Sequence, residues 1–337
     1  VYPTILEKAN TYLKEEKGYN EEELYDSVDE MIRKCRSLWD IRQKILVEDF
    51  RVVDPACGSG AFLLAVANIL WDIHKRIGEQ LGDSEADNDA WLKKLILRHN
   101  IYGVDINHNA TEIARLRLWL WLVDSFNRNN LEALPNIDYK VVSGNSLTGF
   151  ADITQMKEEG ELSGQNNLAK WEDENIPELF KQKNEKTTRY EEITGDEAEE
   201  VKQKIESLDD RINDLLNDYY ITWVKDDGVD LGQEEIRELD VFHWGAEFSR
   251  VFDPEKEPEE RGFDVIVGNP PYIRIQELKQ GQEKLVELLG ELDDYETPYY
   301  NYDIALPFVE RSQDLMNNSG QLGFIMTSKW LQARYGQ

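Results

Sequence analysis

The chain has 337 residues, and 38 Lys and Arg against 68 Asp and Glu leave a formal charge of −30. A hydrophobic fraction of 40% with 10% aromatics belongs to a folded protein of roughly two domains' length, while the acidity excludes a bulk basic surface that grips phosphates or anionic lipid. Two cysteines, Cys35 and Cys57, exclude a disulfide framework or paired metal ligands and fit a reducing cytoplasm, and the longest apolar run, 60–71, falls short of the about 20 residues of a membrane span.

Along the chain, residues 1–50 read as a helical segment, with Leu24, Val28, Met31, Ile32, Cys35 and Leu38 near a 3.6-residue period. Arg51 to Val53 reads as a short strand that runs into a Gly-rich turn, followed by an apolar helix from Ala61 to Ile73. A second strand spans Ile101 to Val104, a second helix runs from Asn109 to Phe126 with Ile113, Leu116, Leu120 and Val123 on one face, and a third strand covers Tyr139 to Val142. This alternation predicts an α/β fold with a doubly wound, mostly parallel sheet. It stops at 151–262, a block of net charge −19 against −6 before it and −5 after it. Val201, Ile205, Leu208, Ile212 and Leu215 give its centre, Asp196 to Tyr220, a helical period that suits one arm of a hairpin. The block reads as a solvated helical insertion or as a docking surface for a neighbouring domain. Sheet-like sequence resumes at Phe263 to Gly268, then a helix from Asp303 to Met316 and a strand from Leu322 to Met326. Four segments follow: 1–50, the 51–150 half-domain, the 151–262 insertion and the 263–337 half-domain.

Four short constellations close the predicted strands. Asp54-Pro55-Ala56-Cys57-Gly58-Ser59-Gly60-Ala61-Phe62-Leu63 joins strand to helix. Its glycines admit a ligand close to backbone, and the helix start offers free N–H groups. The third glycine of a dinucleotide site and the Gly-Lys-Ser/Thr of a phosphate loop are missing. Asp105, in Gly103-Val104-Asp105-Ile106, suits a ribose diol or a helix N-cap. Asn145, in Gly144-Asn145-Ser146-Leu147, suits an adenine edge or an ordinary turn. Asn269-Pro270-Pro271-Tyr272 follows the apolar strand. Two prolines stiffen that turn and remove two donors, so an Asn oxygen and a Pro carbonyl face one NH₂ group beside a flat ring. Such a turn fits an exocyclic amine on a planar ring. The histidines, His74, His99, His108 and His243, lack metal-ligand spacing and read as structural.

In wording and order these constellations resemble the motifs of S-adenosylmethionine-dependent amino-methyltransferases, and most of all the gamma-class adenine-N6 DNA methyltransferases, in the methylase part of type IIG restriction–modification enzymes. Asn301-Tyr302-Asp303-Ile304-Ala305-Leu306-Pro307-Phe308-Val309-Glu310-Arg311, Leu322 through Trp330, and the approach Ala246-Glu247-Phe248 to Val251-Phe252 extend the resemblance over about Arg51 to Gln337. The resemblance implies a class I, Rossmann-like methyltransferase fold. It implies that Asp54, Pro55, Ala56, Cys57, Gly58, Gly60 and Phe62 hold the methionine part of S-adenosylmethionine. Asp105 would bind the ribose, Ile106 would lie against the adenine, and Asn145 with Ser146 would meet its edge. Asn269 and the Pro270 carbonyl would accept hydrogens from the target amine, with Pro271 stiffening the turn and Tyr272 stacking on the flipped base. No metal is implied.

The chemistry suits those roles. An adenine amine is a poor nucleophile because its lone pair is delocalised. Two acceptors pull the nitrogen toward a tetrahedral shape and aim the lone pair, so positioning does most of the work. The base must leave the duplex stack, and stacking on Tyr272 offsets part of that cost. The usual Thr-Pro segment ahead of the first motif is missing from 1–50; Thr297-Pro298 lies elsewhere. The chain opens at Val1 without Met or signal peptide and stops at Gln337. It is therefore expected to be an excised fragment, able to bind cofactor but weakly active, whose parent carries the DNA-recognition domain and the second aromatic. The sequence alone also leaves open a protein-glutamine or RNA amine methyltransferase, and an interaction module in 151–262.

Overall fold

The computed structural model describes residues 1–83, 88–126, 132–153, 176–292, 295–296 and 302–327. Asn301, Thr297-Pro298 and Ser328-Lys329-Trp330, quoted above, lie outside them. The described chain is α/β. Its sheet has five strands: β1 (Val52–Asp54), β2 (Ile101–Asp105), β3 (Val141–Ser143), β4 (Phe263–Gly268) and β5 (Met316–Phe324). Their order is β3-β2-β1-β4-β5, and every pairing is parallel. β1, β2 and β4 are mainly apolar, each with one aspartate, and nearly all of their residues are buried, as parallel strands under helices must be. β5 is polar at its start, Met316-Asn317-Asn318-Ser319-Gly320, because it pairs on one side only among the described residues. That is why a purely apolar reading places it six residues late.

The N-terminal residues fold as α1 (Tyr2–Lys17), α2 (Val28–Lys34) and α3 (Leu38–Asp40), the last continuing into a wider turn at Ile41–Val47. α1 packs against β5, and α2 against α4 (Ala61–Leu81). α4 buries Leu63, Val66, Ala67, Leu70, Ile73 and Ile77 on one face, the stripe that its period dictates. α5 (Asp89–His99) precedes β2, and α6 (His108–Val123) follows it.

α6 shows which of its faces is buried. Ile113, Leu116, Leu120 and Val123 share a face, but that face is exposed. The buried face is Thr111, Ala114, Leu118 and Leu122. The helix is apolar nearly all round, so two stripes compete. The one with small residues wins because α6 must approach the backbone at Gly60. A Cβ at Gly60 would meet the Ala114 Cβ at 3.0 Å, and Gly60 also has φ +78°, a left-handed conformation that favours glycine.

After β3 the chain leaves the sheet. α7 (Ile176–Glu192) and α8 (Asp196–Asp226) pack on each other as a helical hairpin closed by 193–195. The hairpin is fastened to the core by Lys183, which is buried, bonds Asp209 at 2.5 Å across the hairpin and donates to the Ala246 carbonyl at 2.9 Å. Two short helices, α9 (Gln233–Glu238) and α10 (Trp244–Glu247), bring the chain back. Trp244, Phe248, Val251 and Phe252 then cover the second face of the sheet, against Tyr102 and Phe263. α11 (Ile275–Leu278), α12 (Glu283–Glu291) and α13 (Ala305–Leu315) lead to β5. No helix among the described residues is long and apolar enough to cross a membrane.

One buried carboxylate joins the parts. Asp264, 1% exposed in β4, accepts from Lys8 Nζ of α1, from the Arg51 N–H ahead of β1 and from Asn317 Nδ2 of β5. Removing it leaves the Arg51 N–H and Asn317 Nδ2 without this acceptor and leaves Lys8 with Asp49 as its remaining carboxylate. Asp264→Ala is expected to lower the free energy of unfolding by about 1–3 kcal/mol, read from chemical denaturation; a loss below about 0.5 kcal/mol contradicts this linking role.

Candidate functional site

The site lies where such sheets place ligands, beyond the carboxyl ends of the strands. β1 ends at Asp54, whose carboxylate is 1% exposed and accepts the Ala56 N–H at 3.0 Å. The turn continues through Cys57, whose N–H reaches the Val104 carbonyl at 2.9 Å. Gly58, at φ +50°, turns its N–H to Asp105 Oδ2 at 2.8 Å. Asp105 Oδ1 accepts the Asn107 N–H at 2.9 Å. Both oxygens are therefore fixed by backbone donors, and each keeps a lone pair for a ligand. The N-cap of α6 is Asn107, which accepts from Asn109 and Ala110. Asp105 is thus released from capping.

The end of β3 is tied into the fold by side-chain hydrogen bonds. Asn145 and Ser146 are 5% and 3% exposed. Asn145 Nδ2 donates to the Leu239 carbonyl at 3.0 Å, and its Oδ1 accepts the Leu147 N–H at 3.2 Å. Ser146 Oγ donates to the Pro55 carbonyl at 2.6 Å. Their polar atoms tie the first turn, the third turn and the returning insertion together. Gly144 is required beneath them, since a Cβ there would fall 2.3 Å from the Phe242 ring.

β4 delivers the fourth constellation. A Cβ at Gly268 would come within 2.7 Å of Asp54 Oδ1, so glycine lets the two turns lie side by side. Asn269 is exposed, Pro270 is buried, and Tyr272 is exposed. The Tyr272 hydroxyl is 2.9 Å from Asn269 Oδ1 and also reaches the Ile325 carbonyl, just past β5.

A cavity of about 330 Å³ opens between these turns, within the range of small-molecule sites. Of the predicted residues, Pro55, Ala56, Asp105, Ile106, Asn145, Ser146, Asn269 and Pro271 line it. Gly144, Leu147, Ile273, Leu278, Gln282, Leu285, Ile304 and Phe308 complete its wall. Ile304 and Phe308 stand at i, i+4 at the start of α13, a signal the sequence does carry. Leu278, Gln282 and Leu285 carry no motif. Asp54, Cys57, Gly58, Gly60, Phe62, Pro270 and Tyr272 lie beside or beneath the wall rather than on it. Cys57 is a packing residue: it is buried, its Sγ lies where a Gly103 Cβ would point, and burial pushes its thiol far up. The chamber is apolar, with a carboxylate at one end and acceptors at the other. Among the described residues no three His, Cys, Asp or Glu side chains converge on a metal position.

The family model described as Eco57I restriction-modification methylase matches residues 99–337, and that described as N-6 DNA Methylase matches 37–133. The putative type II restriction enzyme and methyltransferase RM.MjaORFECS2P of Methanocaldococcus jannaschii is 30% identical over 329 residues, 84% of this chain and 26% of that protein. The type II restriction enzyme and methyltransferase RM.Eco57I of Escherichia coli is 23% identical over 319 residues, 91% of this chain and 22% of that protein. The type II methyltransferase M.PaeR7I of Pseudomonas aeruginosa is 41% identical over 80 residues, 23% of this chain and 13% of that protein. The chain thus spans about a quarter or less of the length of these relatives.

Burial raises the Asp54 carboxyl to about 7; the Ala56 N–H opposes this and the Asp105 charge adds to it. Folded, Asp54 keeps its proton to about that pH, whereas unfolded it releases it near the ordinary 3.8. The folded state therefore binds more protons in this window, and stability falls as pH rises through it. Asp54→Asn keeps the shape without the titration. Its stability relative to wild type is expected to rise by on the order of 2 kcal/mol between about pH 4.5 and 7.5, as measured by urea midpoints. A constant difference across that range contradicts the assignment.

Proposed function

The chain belongs to the Eco57I restriction-modification methylase family, and from that premise we propose that it is the core of an adenine-N6 DNA methyltransferase of a restriction–modification system. The observation that carries the proposal is the single cavity that gathers Asp105 and Ile106 on one side and Asn269 and Pro271 on the other. The cofactor proposed is S-adenosylmethionine. The cavity fits it in kind: two oriented carboxylate oxygens for a ribose diol, and Ile106, 55% exposed, as an apolar shelf for a purine. When bound, this cofactor supplies an electrophilic methyl group on a sulfonium.

The residues then divide the work. Asp105 and the 55–60 turn hold and orient the cofactor. Asn145 and Ser146 line the wall, and their hydrogen bonds to Leu239 and Pro55 hold it in place. Asn269 and the Pro270 carbonyl accept the two hydrogens of the target amine and aim its lone pair. Tyr272 offers a ring face to the extruded base. Double-stranded DNA is the proposed partner, bound through parts of a longer polypeptide and acted on in the cytoplasm. The names of the relatives, restriction enzymes and methyltransferases, favour DNA over a protein-glutamine or RNA acceptor.

Calorimetric titration with S-adenosylmethionine tests the pocket. Saturable binding is expected, weakened roughly tenfold or more in Asp105→Ala, the scale of lost hydrogen bonds to a charged group. Equal binding by both proteins refutes the assigned pocket. Methyl transfer by the longest natural polypeptide that carries this chain tests the acceptor: adenine-containing duplex is expected to be labelled, and labelling of protein or RNA instead refutes the DNA reading.

A further inference from the structure

Asn269 can serve a target amine with one end only. Its carboxamide carries an oxygen that accepts and an NH₂ that donates, alike in shape. If the NH₂ end faces the amine, two donors meet and the base is repelled. Something must fix which end points into the cavity, and the two prolines that follow hold only the backbone.

The Tyr272 hydroxyl touches two oxygens, Asn269 Oδ1 at 2.9 Å and the Ile325 carbonyl, so two acceptors face one hydroxyl. It has one proton to give. The Ile325 carbonyl has none and can only accept, so it takes the hydroxyl proton. The oxygen of Tyr272 then faces Asn269 with a lone pair, which calls for a donor. The arrangement that satisfies all three groups reverses the carboxamide, a half-turn that keeps its shape, and brings Nδ2 to Tyr272 and Oδ1 to the opposite side. Asn269 lines the cavity and Tyr272 does not, so the end turned away from Tyr272 is the end that serves it. Ile325 is itself held in line, its N–H donating to the Gly268 carbonyl at 3.0 Å.

We propose that the Tyr272 hydroxyl, anchored on the Ile325 carbonyl, is a positioning group that sets the Asn269 carboxamide with its oxygen toward the substrate amine. This duty is separate from stacking by the Tyr272 ring, and it rests on the methyltransferase reading above. It makes the end of β5 part of the site: a main-chain carbonyl past that strand orients an acceptor past β4.

A mutant cycle in the longest natural polypeptide tests it. Tyr272→Phe keeps the ring and removes the hydroxyl. It is expected to lower kcat roughly tenfold, the size of one ordinary hydrogen bond, with KM for duplex and affinity for S-adenosylmethionine within about twofold of wild type. Asn269→Asp accepts at both ends and needs no orientation, so adding Tyr272→Phe to it should change kcat by less than about twofold. Equal effects of Tyr272→Phe in the two backgrounds, or no effect in wild type, overturn the proposal. If wild type leaves adenine unmethylated, the functional reading fails, and a second measurement still decides the orientation. With ¹⁵N-labelled asparagine, the free protein should show an Asn269 Nδ2 proton protected from exchange, with that protection lost in Tyr272→Phe. An unprotected Nδ2 proton in wild type overturns the proposal whatever the activity.

Discussion

The site depends on the register of β1 with both of its neighbours. Val52 stands opposite Ile101 on one side and Val265 on the other. Parallel strands advance about 3.3 Å per residue, so this register fixes where the three chain segments leave the sheet together. Asp54 lies opposite Gly103, so Asp105 projects two residues beyond it and can accept from Gly58 across the gap. On the other side Gly268 passes next to the Asp54 carboxylate. A one-residue slip of either neighbour would reverse its inward and outward side chains. It would also part Asp105 from the turn it holds.

The same closeness explains the cost built into the site. Asp54 is buried with one backbone donor and a second carboxylate nearby, and its proton is held well above the ordinary range. A packed apolar residue at that position would cost less. The carboxyl group gives the turn its shape, since its Oδ1 accepts the Ala56 N–H and sits against the one residue of β4 that has no side chain. Stability is lost locally and the turn is fixed, a common balance at functional positions.

What the sequence disclosed follows the range of the forces involved. β4 is legible to the residue because Phe263 to Gly268 is apolar except for Asp264 and lies between polar flanks. β5 is not, because a strand that pairs on one side only among the described residues need not be apolar. The buried face of α6 is not legible because period alone cannot choose between two apolar stripes; the choice is made by Gly60, more than 50 residues earlier in sequence. The same limit applies at the site. Asp105 and Asn269 are legible because each stands at the end of a readable strand, although the Gly58 N–H that fixes one Asp105 oxygen comes from another turn. The partners of Asn145 are not, because its amide is claimed by Leu239, 94 residues later. Leu278, Gln282 and Leu285 reach the cavity only through tertiary packing.

That long-range hydrogen bond also changes what the acidic block means. Residues 151–262 hold most of the net charge, and as a solvated insertion they would be indifferent to the pocket. Yet the return of the block reaches it. Leu239 binds Asn145, Phe242 fills the space that forces Gly144, and the Ala246 carbonyl receives Lys183 from α7. Lys183 is buried with Asp209 and Glu247 as its counter-charges. A buried cation left without partners is far more costly than one with them, so the hairpin and the 239–252 segment are held in fixed relation. A change in the hairpin can therefore reach the cavity wall through two links, Lys183 to Ala246 and Leu239 to Asn145. Part of the negative charge of the block faces inward, where Asp209 and Glu247 neutralise Lys183. Through these links the hairpin and the returning 239–252 segment are a structural part of the site.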